Sequence, residues 1–446
     1  MAPPRTGTAA LIEHSRQSEG CFVGIDLGTS GCRAVAMDTD GRVLAEQRAS
    51  LPPSLHPFAE ASEQRPADWW QAVCDVLARL VDGIAYPVRA ISVDGTSSTL
   101  ALFDAGGEPL TQALMYDDTR ARDAADQIAA VAPADSAARG RGSALAKLLH
   151  LSRQVTGGPV AHALHQADWI SGRLAARFGV ADENNALKTG YDPVRRQWPP
   201  WLQVLPLDRS LLPDVVPAGT ALGTIDAAVA SDLGLPTDCV IVSGTTDSNA
   251  ATLAAGVSSI ADAVTSLGST LVLKVLSEQP VSSSRHGVYS HRIGDRWLTG
   301  GASNSGGAVL KRFFSASQLG ELSQRIDPRQ PSPLNYYPLL SPGERFPHND
   351  PDLVPVLEPR PADDTAFLHG LLEGITAIEK AGYDRLAELG APYPRRVFSS
   401  GGGAANDTWR QIRQRVLGVP VLRARQAEAA YGSALLARRA LTAKTA

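Results

Sequence analysis

The chain has 446 residues, of which 43% are hydrophobic and 20% are charged, and its formal net charge is −4. This length suits about two or three domains, and the composition excludes a largely disordered chain. The small net charge and the lack of long basic or apolar runs predict neither a nucleic-acid nor a membrane partner. The four cysteines lack metal-ligand spacing, which favours a reducing, cytoplasmic environment.

Residues 1–20 are rich in proline, serine, threonine and alanine and have no apolar signal-peptide core. We interpret them as a flexible N-terminal tail. Arg5 and Arg16 leave a plastid transit peptide open as an alternative, although Glu13 and Glu19 weigh against it.

The first predicted strand, Cys21–Asp26, is an apolar run that ends in a carboxylate. A turn of small residues over 28–31 leads into a second apolar run, and a hairpin signal at Asp40 and Gly41 follows. A similar strand, turn and strand recur over 263–275. We interpret the two patterns as the same device, used once in each half of the chain.

Two further apolar runs, 90–94 and 240–243, also open into turns of small polar residues. Helical spacing of apolar residues predicts helices at 66–80, 365–389, around Trp409 and at 428–441. The stretch 328–361 has too many prolines for a helix and too many apolar residues for a linker, which indicates a packed, extended loop.

Turns of glycine and hydroxyl residues expose backbone N–H groups, which suits a polyphosphate, and a neighbouring carboxylate suits Mg²⁺. Asp26 with residues 28–30 fits this description, and residues 268–270 form a second such turn. The triple glycine 401–403 permits close backbone approach by a flat group such as adenosine. Each turn taken alone is equally well explained as an ordinary hairpin or tight turn.

Five segments together resemble the FGGY family of carbohydrate kinases, in the family's order. They are residues 24–30 (GIDLGTS), 114–121 (LMYDDTRA), 341–347 (SPGERFP), 371–375 (LLEGI) and 401–406 (GGGAAN). Tyr116 stands where the family usually has tryptophan, and Gln414 and Arg415 replace its Ala-Asp pair. The segments 93–97, 244–248 and 265–270 further resemble the family's short D-ribulose kinases.

The resemblance implies an α/β fold of two actin-like (ribonuclease H-like) ATPase domains with a central interdomain cleft. Residues 21–256 would form the N-terminal, sugar-binding domain that carries the catalytic aspartate. Residues 257–446 would form the C-terminal, ATP-binding domain. ATP and Mg²⁺ are the implied cofactors, and a small sugar and ATP are the implied partners of a monomer or homodimer.

By the same resemblance, Asp247 is the expected catalytic base, and Asp26 and Asp247 are the expected metal-binding residues. The expected sugar-binding residues are Asp26, Ser30, Gly31, Ser97 and Asp247. The expected ATP-binding residues are Gly28, Thr29, Gly268, Ser269, Thr270, Gly307, Gly401, Gly402, Gly403 and Asn406. Two other interpretations stay open: Asp247 could cap a helix, and the Ser97 hydroxyl could bond to its own backbone.

The expected reaction is ATP-dependent phosphorylation of a ketopentose, with D-ribulose as the first choice and D-ribulose 5-phosphate as the product. One alternative is a kinase of the same family for D-xylulose or another ketose or pentitol. A second alternative is a nucleotide-dependent switch on the same fold, and a third is a sugar-binding regulator without catalysis.

Overall fold

The computed structural model describes residues 20–155 and 158–442, so the predicted tail lies outside the described residues except for Gly20. The chain forms two compact units. The first runs to Ala254 and resumes at Glu428, and the second is Ala255–Ala427. The sequence-based division assigned the last residues to the second domain, whereas here the final helix packs with the first unit.

The first unit contains three sheets. Its strands are β1 (Cys21–Leu27), β2 (Gly31–Met37), β3 (Val43–Ser50), β4 (Glu63–Gln64), β5 (Val88–Gly95), β6 (Leu100–Phe103), β7 (Ala113–Leu114), β8 (His162–His165), β9 (Val180–Asp182), β10 (Asp214–Val216), β11 (Ala221–Thr224) and β12 (Val240–Thr246). The main sheet has the order β11–β12–β5–β1–β2–β3, and the smaller sheets are β4–β7–β6–β8 and β10–β9. β1, β5 and β12 run parallel, so their carboxyl ends meet at one edge.

Helices accompany these strands as expected for an α/β fold. They are α1 (Pro66–Asp82), α2 (Arg122–Val131), α3 (Ala144–Ser152), α4 (Gln166–Ala175), α5 (Ala227–Leu233) and α6 (Asp247–Ala255), with short 3₁₀ turns at Ala137–Arg139, Ala186–Thr189, Pro200–Val204 and Arg209–Leu211. The predicted helix at 66–80 is confirmed as α1. Its apolar face, including Trp69, Val73 and Leu77, is buried in the core with β1 residues such as Ile25.

The second unit is built on one six-stranded sheet. Its strands are β13 (Asp262–Leu267), β14 (Leu271–Ser277), β15 (Tyr289–Ile293), β16 (Arg296–Ser303), β17 (Arg396–Ser400) and β18 (Val421–Arg423), in the order β15–β16–β14–β13–β17–β18. β13 pairs antiparallel with β14 and parallel with β17, just as β1 pairs with β2 and β5. The strand pattern predicted for both halves is therefore confirmed.

The helices of the second unit include those predicted at 365–389 and around Trp409. They are α7 (Gly307–Phe313), α8 (Ala316–Ser323), α9 (Asp364–Glu388) and α10 (Asp407–Leu417), with 3₁₀ turns at Ser284–His286 and Gly402–Ala405. Residues 328–361 form no helix or paired strand beyond isolated bridges, yet Tyr336, Leu339 and Phe346 are buried. The prediction of a packed, extended loop is confirmed.

The final helix, α11 (Ala429–Thr442), packs on the main sheet of the first unit. Gly24 in β1 permits this contact, because a Cβ there would lie 1.9 Å from the carbonyl oxygen of Ala430. None of the helices in the part of the chain that the structure describes is long and apolar enough to span a membrane.

Candidate active site

Two aspartates face each other at the carboxyl edge of the main sheet. Asp26 in β1 and Asp94 in β5 are register partners, and their side chains are hydrogen-bonded to each other. The Ser433 hydroxyl on α11 donates a second hydrogen bond to Asp94 at 2.6 Å. Asp94 is fully buried, whereas Asp26 keeps some exposure. Asp26 is therefore the member of the pair that can reach a ligand.

Burial gives the carboxyl groups of Asp26 and Asp94 different pKa values. Desolvation raises the pKa of Asp26 to about 6, a rise that the hydrogen bond from Asp94 opposes and the charge of Asp247 increases. Desolvation and the charge of Asp26 raise the pKa of Asp94 well above its usual range. Near neutral pH, Asp94 thus keeps its proton and donates it to the Asp26 carboxylate.

Asp247 begins α6 directly after β12, and β12 pairs in parallel with β5. Its carboxylate accepts a hydrogen bond from the backbone N–H of Ser248 at 2.5 Å, and its charge contributes to the raised pKa values of both Asp26 and Asp94. The structure thus brings the predicted base and the predicted metal-binding aspartate together at one sheet edge. The helix-terminal position and a catalytic role are compatible.

The turn after β1 is held from two sides. Gly28 N–H donates to the Gly31 carbonyl at 3.0 Å, and Gln64 donates to the Thr29 carbonyl at 2.7 Å. Ser30 at the turn is exposed. A Cβ on Gly31 would lie 2.6 Å from the Ala49 carbonyl oxygen, so close strand packing alone accounts for that glycine.

The Ser97 hydroxyl is buried and has no hydrogen-bond partner among the described residues, so the alternative in which it bonds to its own backbone is not observed. The next residue, Ser98, has a left-handed backbone with φ of 69°. Lys147 on α3 donates to the Ser98 carbonyl at 3.0 Å and to the Met115 carbonyl at 2.6 Å. Burial lowers the pKa of Lys147 to about 7.

In the second unit, a cavity of about 790 Å³ opens beside the turn after β13. Six predicted ATP-binding residues line it: Gly268, Ser269, Gly307, Gly402, Gly403 and Asn406. Residues that the sequence analysis did not select also line it, including Ala316, Gly320 and Gln324. The volume is within the range of small-molecule sites, and these glycines leave their backbones open to it.

Four of the predicted ATP-binding residues do not line this cavity, namely Gly28 and Thr29, which lie in the turn after β1, and Thr270 and Gly401. Gly401 has φ of 78°, and a Cβ there would lie 2.8 Å from the backbone of Leu267, so strand packing explains it. Thr270 is likewise absent from the lining. Asn406 lines the cavity and also caps α10, because its side chain accepts from Trp409 N–H and donates to the Ser323 hydroxyl.

Magnesium ions prefer carboxylates, phosphates and water as ligands. The described residues contain no group of three or more aspartate, glutamate, histidine or cysteine side chains that could hold a metal alone. Asp26 and Asp247 fit a site that takes its other ligands from water and phosphate. A cation beside them would also offset the repulsion between Asp26 and Asp247, which adds to the desolvation that raises the pKa of Asp26.

Known proteins are similar to this chain along almost its whole length. Among curated relatives, the xylulose kinase of Escherichia coli (strain K12) is 28% identical over 410 residues, covering 88% of this chain and 84% of the relative. The xylulose kinase of Bacillus subtilis (strain 168) is 26% identical over 440 residues, covering 93% and 87%.

Two solved structures show the same fold. The xylulose kinase from Rhodospirillum rubrum superposes with a TM-score of 0.83 at 24% identity, covering 94% of this chain and 89% of that one. Plasmodium falciparum glycerol kinase with ADP gives 0.83 at 15% identity, covering 95% and 90%. The fold is thus the actin-like fold of sugar kinases. Residues 21–254 match the N-terminal domain of the FGGY family of carbohydrate kinases and residues 263–441 match its C-terminal domain, so the chain belongs to that family.

Proposed function

We propose that this kinase transfers the γ-phosphate of ATP to a ketopentose, with Asp247 as the general base. The observation that carries the proposal is the placement of Asp247 beside Asp26 at the edge where three parallel strands end. The Ser97 hydroxyl, which has no hydrogen-bond partner in the described part of the chain, follows β5 on the same sheet. Aligned carboxylates and a free hydroxyl suit a polyol that must be both bound and deprotonated.

ATP is assigned to the cavity in the second unit. Its glycines let a flat base and a phosphate chain approach the backbone closely, and the turn at Gly268 and Ser269 resembles the phosphate turns of the family. Of the residues proposed for ATP, Gly28 and Thr29 belong to the first unit's turn. Gly401 and Thr270 are proposed to act by shaping their own turns.

The transfer itself needs one proton acceptor. Asp247 accepts the proton of a sugar hydroxyl as its oxygen bonds to the γ-phosphorus, and the bond from that phosphorus to the bridging oxygen of ADP breaks. ADP leaves with the bond's electron pair. Mg²⁺, when bound near Asp26 and Asp247, supplies charge neutralisation for the phosphates. Asp26 further orients the hydroxyl, because its carboxylate is fixed by the hydrogen bond from Asp94.

D-Ribulose and D-xylulose are the two leading substrates. The motif segments at 93–97 and 265–270 favour D-ribulose, and the printed names of the relatives favour D-xylulose. The two sugars differ only in configuration at C3, so few side chains decide between them.

An assay of ADP release with D-ribulose, D-xylulose, ribitol and glycerol tests the proposal. We expect the highest kcat/KM with one of the two ketopentoses, and Asp247→Asn as the inactive control. A higher kcat/KM with glycerol or ribitol would exclude a ketopentose kinase. ATP hydrolysis that no sugar stimulates would instead support the nucleotide-dependent switch.

A further inference from the structure

Glu344 is a buried carboxylate in the irregular segment 328–361, with a relative exposure of 2%. We propose that Glu344 is a positioning residue that fixes residues 303–307 and, through them, the Gly268–Ser269 turn of the nucleotide cavity. This inference rests on the proposed function insofar as the cavity takes ATP. The Gly-Glu-Arg segment thereby acquires a role in nucleotide binding without contacting the nucleotide.

The carboxylate of Glu344 is surrounded by donors. One oxygen accepts from the backbone N–H groups of Asn304 at 2.8 Å and Arg345 at 2.9 Å. The other accepts from the hydroxyls of Ser303 at 2.6 Å and Tyr337 at 3.1 Å. Within the described chain no basic side chain forms an ion pair with it. These hydrogen bonds therefore offset the free-energy cost of burying the carboxylate, and the carboxylate in turn fixes the positions of the donors.

Hydrogen bonds, together with the backbone of residues 303–308, connect Glu344 to the turn that lines the cavity. The Ser303 hydroxyl, which donates to Glu344, accepts from Ser305 N–H at 3.0 Å. Two residues further on, Gly307 N–H donates to the Gly268 carbonyl at 2.8 Å. The next amide, that of Ala308, donates to the carbonyl of Ser269 at 3.1 Å.

These last two bonds fix the turn by its carbonyl groups. The fit at Gly306 is tight as well, because a Cβ there would lie 2.7 Å from the Ser269 carbonyl oxygen. A shift of the 303–307 segment is therefore transmitted to the turn. Displacement of a ligand-binding turn by about 1 Å is enough to weaken binding strongly.

The hydrogen-bond donors around Glu344 can be satisfied by a glutamine at this position but not by an alanine. In Glu344→Gln, the amide oxygen can keep both backbone bonds, and the amide N–H groups can face the hydroxyls of Ser303 and Tyr337, which rotate to accept. In Glu344→Ala, the N–H groups of Asn304 and Arg345 lose their acceptor. The glutamine variant should therefore preserve the turn and the alanine variant should not.

The test measures the affinity of the full chain for ADP and ATP by calorimetry, without sugar, together with the melting temperature. We expect Glu344→Ala to raise the Kd for both nucleotides at least about tenfold and Glu344→Gln by less than about threefold. In turnover assays, KM for ATP should rise more than KM for the sugar. Simple loss of folded protein would lower kcat and leave both KM values unchanged.

Thr299→Val is the matched control. Thr299 is fully buried in β16, the strand that also contains Ser303. Its hydroxyl forms a hydrogen bond of 2.7 Å with the Ser290 hydroxyl, and neither residue lines the cavity. We expect this variant to lose stability but keep its nucleotide affinity. Equal weakening in Thr299→Val, or an unchanged Kd in folded Glu344→Ala, would overturn the role of Glu344.

Ser303→Ala keeps the proposal testable if Glu344→Ala does not fold. It removes one donor to Glu344 and the acceptor of Ser305 N–H, so we expect an intermediate rise in Kd. An unchanged Kd in that variant would also overturn the proposal. Failure of the wild-type chain to bind either nucleotide would instead refute the cavity's assignment to ATP, and the inference with it.

Discussion

Asp26 and Asp94 lie opposite each other on parallel strands, and a hydrogen bond joins their carboxyl groups. The buried member, Asp94, also accepts from Ser433 on the last helix. Because burial raises the pKa of Asp94 further than that of Asp26, the pair holds one proton near neutral pH, and Asp94 carries it.

This arrangement predicts that Asp94→Asn is tolerated. An asparagine amide can donate to Asp26 and accept from Ser433, as the protonated acid does, so kcat should change by less than about threefold. Asp94→Leu removes the donor that lowers the pKa of Asp26, and the acid limb of the kcat/KM profile should move to higher pH. A large loss of kcat in Asp94→Asn would contradict this prediction, because Asp94 would then have to act as an anion.

Asp247→Asn should slow phosphoryl transfer without weakening nucleotide binding. The amide cannot accept the sugar's proton, so we expect kcat to fall by about 100- to 10,000-fold. Nucleotide affinity measured by calorimetry should stay near that of the wild-type chain, because the cavity of the second unit does not include Asp247. Near wild-type turnover would contradict the assignment of Asp247 as base.

The open space beside Gly320 allows a steric test of the cavity proposed for ATP. Beyond its own helix, a Cβ on Gly320 meets no atom of the described residues within 4 Å, and the residue lines the cavity from α8. Gly320→Leu should stabilise the helix by about 1 kcal/mol yet raise the Kd for ADP at least about tenfold. Ser317→Leu, on the same helix but outside the cavity lining, is the control and should leave the Kd unchanged.

The core of the second unit contains a fully buried ion pair. Arg413 on α10 donates two hydrogen bonds of 2.6 Å to Glu379 on α9 and a third to the Ser399 hydroxyl. Arg413→Met leaves the Glu379 charge unpaired, and we expect a loss of about 3–5 kcal/mol in the free energy of unfolding. Chemical denaturation measures it. The double variant with Glu379→Leu should recover stability, and no recovery would refute the charge explanation.

The lowered pKa of Lys147 predicts that the free energy of unfolding rises with pH. Its pKa is about 7 in the folded protein and about 10.4 when unfolded, so between these values the unfolded chain binds the extra proton. Stability contributed by this site therefore rises with pH, by about 1.4 kcal/mol from pH 6 to pH 8. Lys147→Met should lack this increment in denaturation curves at the two pH values. An identical pH dependence in both proteins would contradict the prediction.

The sequence predicted those structural features that depend on residues close to one another along the chain. The turns after β1 and β13, the helix α1 and the packed proline-rich segment follow from local patterns, and the structure has all of them. The role of Asp94 does not follow, because it depends on strand pairing with Asp26 and on Ser433, which lies 339 residues away in the chain. Lys147, a lone charge among the apolar residues of α3, carried a signal that could have been noticed.

The position of α11 has a consequence for the order in which the protein matures during synthesis. The chain leaves the first unit after Ala254 and returns at Glu428, so the second unit is an insertion within the first. Its two ends are joined by the bond from Arg425 N–H to the Ala255 carbonyl. A nascent chain can therefore complete the second unit while Asp94 still lacks Ser433, and the carboxylates at the edge of the main sheet acquire their final surroundings only once α11 has been made.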